Sequence, residues 1–305
     1  MANKKQDAAL KYTRVSPVTN VVFSFIFIVL ALLCFLPALL VCIVSFSSEA
    51  SVLHKGYSFF PDAWSVDSYA YLARQADYVG RAFLNSIGIT VVGTSLGLVL
   101  CSTMGYALSR PNYRLRGFFT WFVFIPMLFS GGLVASYMIN AQVLGLKNTY
   151  WVLILPICCS SFYIIIMRTF FSNSIPYELQ EAAQIDGCTP FGILVRIILP
   201  LSIPVMCVIG LYYGVFLWNS YFQSLIYLTD KDKWPLQLFL RQILVANDVS
   251  AVDGGASPDE MARRAMRAET IKYAIVVLAS VPMLIIYPFV QRYFVKGVMI
   301  GSVKG

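Results

Sequence analysis

Charge is what this chain has least of. Asp, Glu, Lys and Arg together supply 12% of its 305 residues, about half the share of an ordinary soluble domain. It has one histidine, His54, in a polar stretch where solvation is the simplest role. The G-x-x-x-x-G-K-[ST] phosphate-cradling loop is absent. No nucleophile stands beside a candidate base, so no catalytic residue is assigned. Of the seven cysteines, Cys34, Cys42, Cys101, Cys158, Cys159 and Cys207 lie in apolar runs, and Cys188 lies in a short polar loop. None has metal-ligand spacing. Adjacent Cys158 and Cys159 point to different faces of a helix, so packing as small hydrophobes is the expected role. Enzyme, metalloprotein and disulfide-framework readings are all disfavoured.

What the chain has instead is hydrophobicity: 58% of residues are hydrophobic and the mean hydropathy is +0.72. Six stretches carry no Asp, Glu, Lys, Arg or His: Val21–Phe46, Phe83–Ser109, Phe118–Ile139, Trp151–Met167, Ile197–Phe222 and Tyr273–Val290. A transmembrane helix needs roughly 20 such residues. The expected class is therefore all-α and polytopic, with six transmembrane helices. The first run follows Lys4, Lys5, Lys11 and Arg14, as a signal peptide would. Its apolar region far exceeds the roughly 7–15 residues of a signal, so it reads as a retained helix.

Cytoplasmic segments carry the excess of Lys and Arg. With the N-terminus inside, that side holds Lys4, Lys5, Lys11, Arg14, Arg110, Arg114, Arg116, Arg168, Arg196, Arg292, Lys296 and Lys304, and the whole formal charge of +8 falls there. Both termini are expected in the cytoplasm. The basic balance then needs no nucleic-acid partner. The chain divides into a cytoplasmic segment 1–20, a six-helix domain 21–290 with a cytoplasmic loop 169–196 and an outside loop 223–272, and a cytoplasmic tail 291–305.

Ion-coupled carriers and channels usually hold ionisable residues within their spans. Here the spans have none, so energy for any transport must come through a partner. One polar stretch does stand out. In "ELQEAAQIDG", Glu178, Glu181 and Asp186 surround Ala182 and Ala183, and Gly187 ends the run. Two short helices are expected here. Pro176 opens the first, with Ser174 as its cap, and Gly187 supplies a left-handed stop. Thr189 caps the second, with Pro190 at its first position. Pro200 and Pro204 mark a bend into span five. A solvated connecting helix would account for the residues equally well.

The spacing Glu181-Ala182-Ala183, Gly187, Ile197, Leu199-Pro200 resembles the EAA loop of ATP-binding-cassette (ABC) importer permeases. "WNSYF" (218–222), "WPLQLFLRQ" (234–242), "FFPDAWSVDSYAYL" (59–72) and the tail "QRYFVKGVMIGSVKG" (291–305) are similar to the carbohydrate branch related to the second permease of the maltose importer. Within it, the chain looks closest to permeases for complex oligosaccharides such as pectin or alginate fragments.

The resemblance implies the type I ABC importer permease fold in a bacterial cell membrane. It implies a second permease, a cytoplasmic ATPase dimer, an extracytoplasmic binding protein and contact with lipid. ATP and Mg belong to the ATPase, and this chain holds no cofactor or metal. Glu181, Ala182, Ala183, Asp186, Gly187, Leu199 and Pro200 would form the ATPase-coupling element. Tyr212, Tyr213, Trp218 and Asn219 in span five are candidates for a sugar path, although Trp218 also suits an interfacial anchor. Gly93/Gly97 and Gly210/Gly214 form G-x-x-x-G pairs that permit close helix packing. The loop 223–272 is longer than the branch leads one to expect. In it Ser257 and Glu260 form a capping box with Pro258 at the first helical position, which predicts a helix over 257–274. It is either a solvated insertion or a docking surface. A permease for another solute class, a secondary carrier and a membrane scaffold remain as alternatives.

Overall fold

The computed structural model describes residues 16–250, 270–289 and 291. Its helices, in chain order, are α1 (Pro17–Ser45), α2 (Glu49–Lys55), α3 (Asp67–Arg74), α4 (Ala76–Ser109), α5 (Arg116–Leu128), α6 (Gly132–Val143), α7 (Trp151–Cys158), α8 (Ser161–Ser174), α9 (Glu178–Ile185), α10 (Pro190–Leu201), α11 (Ile203–Trp218), α12 (Phe222–Tyr227), α13 (Leu236–Ser250) and α14 (Thr270–Phe289). Among the described residues there is no strand beyond one isolated bridge, Ser47 to Trp64. The tail 291–305 beyond its first residue, the stretch 251–269 with its capping box, and most of segment 1–20 lie outside the described residues.

Only three of the six apolar runs are continuous helices: α1, α4 and α14. The other three bend. The third breaks by 119° between α5 and α6, the fourth by 42° between α7 and α8, and the fifth by 83° between α10 and α11. The run 118–139 is thus a bent pair of helices and not one straight helix. Pro126 lies in the last turn of α5, which ends at Leu128, and Gly132 takes φ +76°, which a helix interior does not allow. At 13 residues, α5 is only about 20 Å long. Six crossings result when each bent pair counts as one span.

The chain forms two compact units. The first takes residues 1–71 and 250–277. Here the chain leaves α1 through Ser45, whose Oγ lies 2.8 Å from Tyr69 Oη, and Phe46 stacks on Tyr69. Ser48 caps α2 by accepting from Ser51 N. The segment after α2 folds back, with Asp62 N donating to Ser51 Oγ and Ser48 N to the Ala63 carbonyl. In its most apolar window, α1 buries none of its residues within the chain.

The second unit takes residues 72–249 and 278–305, and α4 is its hub, packed against α7, α8 and α11. The close approach rests on missing side chains. A Cβ on Gly97 would meet the Tyr213 ring at 2.8 Å, and one on Gly93 would meet Leu217 at 2.6 Å. Gly210 and Gly214 face Leu98, Thr94 and Thr90 from the other side. Both G-x-x-x-G pairs thus serve one interface within this chain. The bend in the fourth run frees backbone carbonyls, which hydrocarbon cannot satisfy. Tyr213 Oη answers one of them, donating to the Cys158 carbonyl at 3.0 Å.

At the other end of α4 the loop after α11 is tied down. Asn85 Nδ2 donates to the carbonyls of Asp232 and Trp234, Leu236 N donates to Ser86 Oγ, and Arg81 pairs with Asp232. Asn148, at φ +60°, accepts from Asp230 N through Oδ1. The first part of the long loop, as far as Ser250, is therefore partly helical and anchored to α4.

Candidate functional site

The EAA stretch folds as α9, an eight-residue helix. Ser174 does not cap it, because Ser174 is the last residue of α8. Tyr177 holds the cap position, and its carbonyl accepts from Gln180 N and Glu181 N. Glu178 and Glu181 in the first turn favour the positive end of the helix dipole. The other end closes as expected. Gly187 sits at φ +81°, Gly187 N donates to the Gln184 carbonyl and Cys188 N to the Ala183 carbonyl. These are the two bonds of a Schellman stop. Nothing lies within 4 Å of a Cβ built on Gly187, so backbone conformation alone demands glycine. Thr189 Oγ1 then accepts from Gly192 N and opens α10, with Pro190 at its first position.

Helical spacing gives α9 two faces. Gln180 and Ala183 turn inward, 4% and 5% exposed. Ala183 joins a core with Phe171, Ile175, Ile193 and Ile198, which also holds Tyr106 and Met167 from the bundle. Leu199 packs on that core, while Pro200 is exposed. Of the two alanines expected at a partner's surface, only Ala182 is outward, and Ala183 seats the helix on its own chain. The outer face presents Glu178, Glu181, Ala182, Ile185 and Asp186.

Exposed apolar residues in this loop escaped the sequence reading. Ile185 is 86% exposed and Phe191 is 70% exposed. Ile185 follows Glu178, Glu181 and Ala182 at i+7, i+4 and i+3, so the helical period alone places it on the charged stripe. The residues that hold the loop from the α4 side were also missed. Tyr106 Oη donates to the Pro190 carbonyl at 3.2 Å, and Asn112 Nδ2 donates to Tyr177 Oη at 3.1 Å. Arg110, just past α4, has its pKa lowered from the usual guanidinium range chiefly by burial, with Tyr106 and Tyr177 acting in the opposite direction.

The span-five candidates separate. Tyr213 is fully buried, with its hydroxyl 3.0 Å from Cys101 Sγ. Trp218 is 3% exposed, meets Phe83 edge-on and donates Nε1–H to the Ala279 carbonyl at 3.1 Å. Both serve packing within the chain. Tyr212 and Asn219 are exposed, and Tyr212 lies parallel to Tyr163 with ring centroids 6.0 Å apart. Among the described residues no group of three or more His, Cys, Asp or Glu is placed to hold a metal ion.

A bent-helix bundle with a capped acidic helix on its end now meets known proteins. Residues 93–300 match the family of binding-protein-dependent transport system inner membrane components. The chain belongs to that family. This permease is 40% identical over 280 residues to the polygalacturonan/rhamnogalacturonan transport system permease protein YtcP of Bacillus subtilis (strain 168), covering 90% of this chain and 94% of the relative. It is 41% identical to Protein LplC of the same organism over 88% of this chain and 89% of that one. A solved structure, that of a bacterial ABC transporter involved in the import of the acidic polysaccharide alginate, superposes with a TM-score of 0.78. It is 28% identical and covers 92% of the permease and 99% of its own chain. The permease is a non-enzymatic membrane subunit, and ATP hydrolysis in this family belongs to a separate one.

Proposed function

We propose that the permease is one of two membrane subunits of an ATP-driven importer for an acidic oligosaccharide. The observation that carries this is 40% identity over nine-tenths of the chain to a permease named for polygalacturonan and rhamnogalacturonan. The likeness to a transporter for alginate, also an acidic polysaccharide, points the same way. Its partners are a second, different permease, a dimeric cytoplasmic ATPase that carries ATP and Mg, and an extracytoplasmic binding protein that delivers the sugar. The unburied apolar surface of α1 suits lipid or the second permease. The chain's positive charge supports a cytoplasmic position for both termini and for the loop 169–196.

In this reading α9 is the coupling helix. Glu181, Ala182 and Asp186 face the ATPase, with Ile185 and Phe191 as apolar anchors, and Gly187 turns the chain. Leu199 belongs to the seat that carries the motion inward. Tyr212 and Asn219 remain the span-five residues available to a sugar path.

Uptake in cells lacking the permease, restored from a plasmid, tests the substrate. Labelled oligogalacturonates should accumulate only in the restored cells, and neutral arabino-oligosaccharides should not. Accumulation of the neutral sugar alone would refute the acidic class, and dependence of neither would refute the carbohydrate reading.

A further inference from the structure

The seam between the end of α4 and the loop that carries α9 holds polar groups left over from its bonds. Tyr106 and Asn112 reach across it to Pro190 and Tyr177. Arg110 lies between those two in sequence, and its guanidinium carbon stands 3.8 Å from the Tyr106 ring centroid. Its Nε and Nη2 are buried and have no hydrogen-bond partner among the described residues. On α9, Gln180 is 4% exposed, and its Oε1 is likewise buried without a partner.

These leftovers are complementary. Arginine has only donors, fixed in a planar fork, and an amide oxygen only accepts. Buried polar groups are nearly always paired, and those left unpaired need a reason. Tyr106 holds the guanidinium by stacking and leaves Nε and Nη2 unpaired. The residue that caps the end of the hub helix owns the donors, and α9 owns the acceptor. A second arrangement of the seam that joins them would be favoured by the pairing it completes, which is the form a two-state element takes.

We propose that Arg110 and Gln180 are positioning residues for coupling, closing on one another in the alternate state of the transport cycle so that movement of α9 is delivered to α4. This rests on the reading of α9 as the helix that docks on the ATPase. It assigns a route from the loop into the hub, and so into α7, α8 and α11.

The test uses the complete assembly in proteoliposomes, with sugar moved per ATP hydrolysed and ATPase retained on purification as readouts. Arg110→Met keeps the stem and removes the donors, and Gln180→Met removes the acceptor. Each should keep the ATPase at normal amounts while the transport stoichiometry falls about tenfold. Arg110→Lys should recover part of it. The double variant should lose no more than either single one, since the two act through one bond. Normal stoichiometry in both single variants, or losses that multiply in the double, would overturn the proposal. Should Arg110→Met fail to reach the membrane, Gln180→Met decides, together with a cysteine pair, Arg110→Cys with Gln180→Cys on a cysteine-free background. The yield of cross-link should change severalfold between nucleotide-free and vanadate-trapped assemblies, and equal yields would overturn the proposal. Glu181→Lys separates the two levels. Retention of the ATPase by that variant removes the docking reading itself. Loss of the ATPase there, with normal stoichiometry in Arg110→Met, removes only the present inference.

Discussion

Gly187 is the residue whose backbone decides where α9 stops. Its φ of +81° costs an L-residue about 1–2 kcal/mol, and the space around it is open. Gly187→Ala should lower the melting temperature of the purified assembly, and Gly187→Asn should lower it less, because Asn tolerates the left-handed region better. Equal melting of Gly187→Ala and the parent protein would contradict the strain. The stop at Gly187 and the Thr189 cap were legible because each depends on a few adjacent residues. The inward turn of Ala183 was not, because two neighbouring alanines look alike until tertiary packing chooses between them. Ile185 was hidden for a related reason: an isoleucine reads as core until the opposite face of its helix is known to be the buried one. Ile185→Asp should leave membrane levels unchanged and weaken retention of the ATPase, by co-purification. Loss of the permease itself would show Ile185 to be structural.

At the scale of elements, α4 and α11 are joined through glycines. A side chain at Gly97 has nowhere to go, since the Tyr213 ring lies 2.8 Å from the built Cβ and its hydroxyl is held by the Cys158 carbonyl. Gly97→Val should destabilise the bundle by about 1–3 kcal/mol, the usual cost of overpacking, read as a lower melting temperature in detergent. Gly117→Val, with nothing within 4 Å of its Cβ, is the matched control and should change little. Equal effects at the two sites would refute the packing account. The apolar runs themselves were plain in the sequence, and so were the prolines at the fifth bend. The break between α5 and α6 was not, because hydropathy measures what a segment can dissolve in and not whether it is straight. Trp218 shows the same limit: a tryptophan near a span end fits an interface anchor by composition, and only the Ala279 carbonyl beside its Nε1 places it inside.

For the whole molecule, the proposed function divides the work: the apolar bundle, whose predicted spans hold no Asp, Glu, Lys, Arg or His, would supply the path, and the polar helix α9 would admit the energy. Orientation is the first consequence. In the proposed orientation, which puts the formal charge of +8 on the cytoplasmic side, single cysteines replacing Asn112 and Gln184 on a cysteine-free background should resist a membrane-impermeant thiol reagent in intact cells and react in inverted vesicles. Labelling in intact cells would reverse the topology. The central claim is that α9 couples the bundle to an ATPase through its exposed acidic face. Losing one partner of a buried interfacial charge pair costs on the order of 2–5 kcal/mol, and Glu181→Lys adds repulsion to that loss. Glu178→Lys, one turn earlier on the exposed face, should be milder. The deciding measurement compares Glu181→Lys with the parent protein in one preparation, scoring permease in the membrane, ATPase retained and sugar taken up. The account predicts normal permease, little ATPase and no uptake; normal uptake by Glu181→Lys would contradict it.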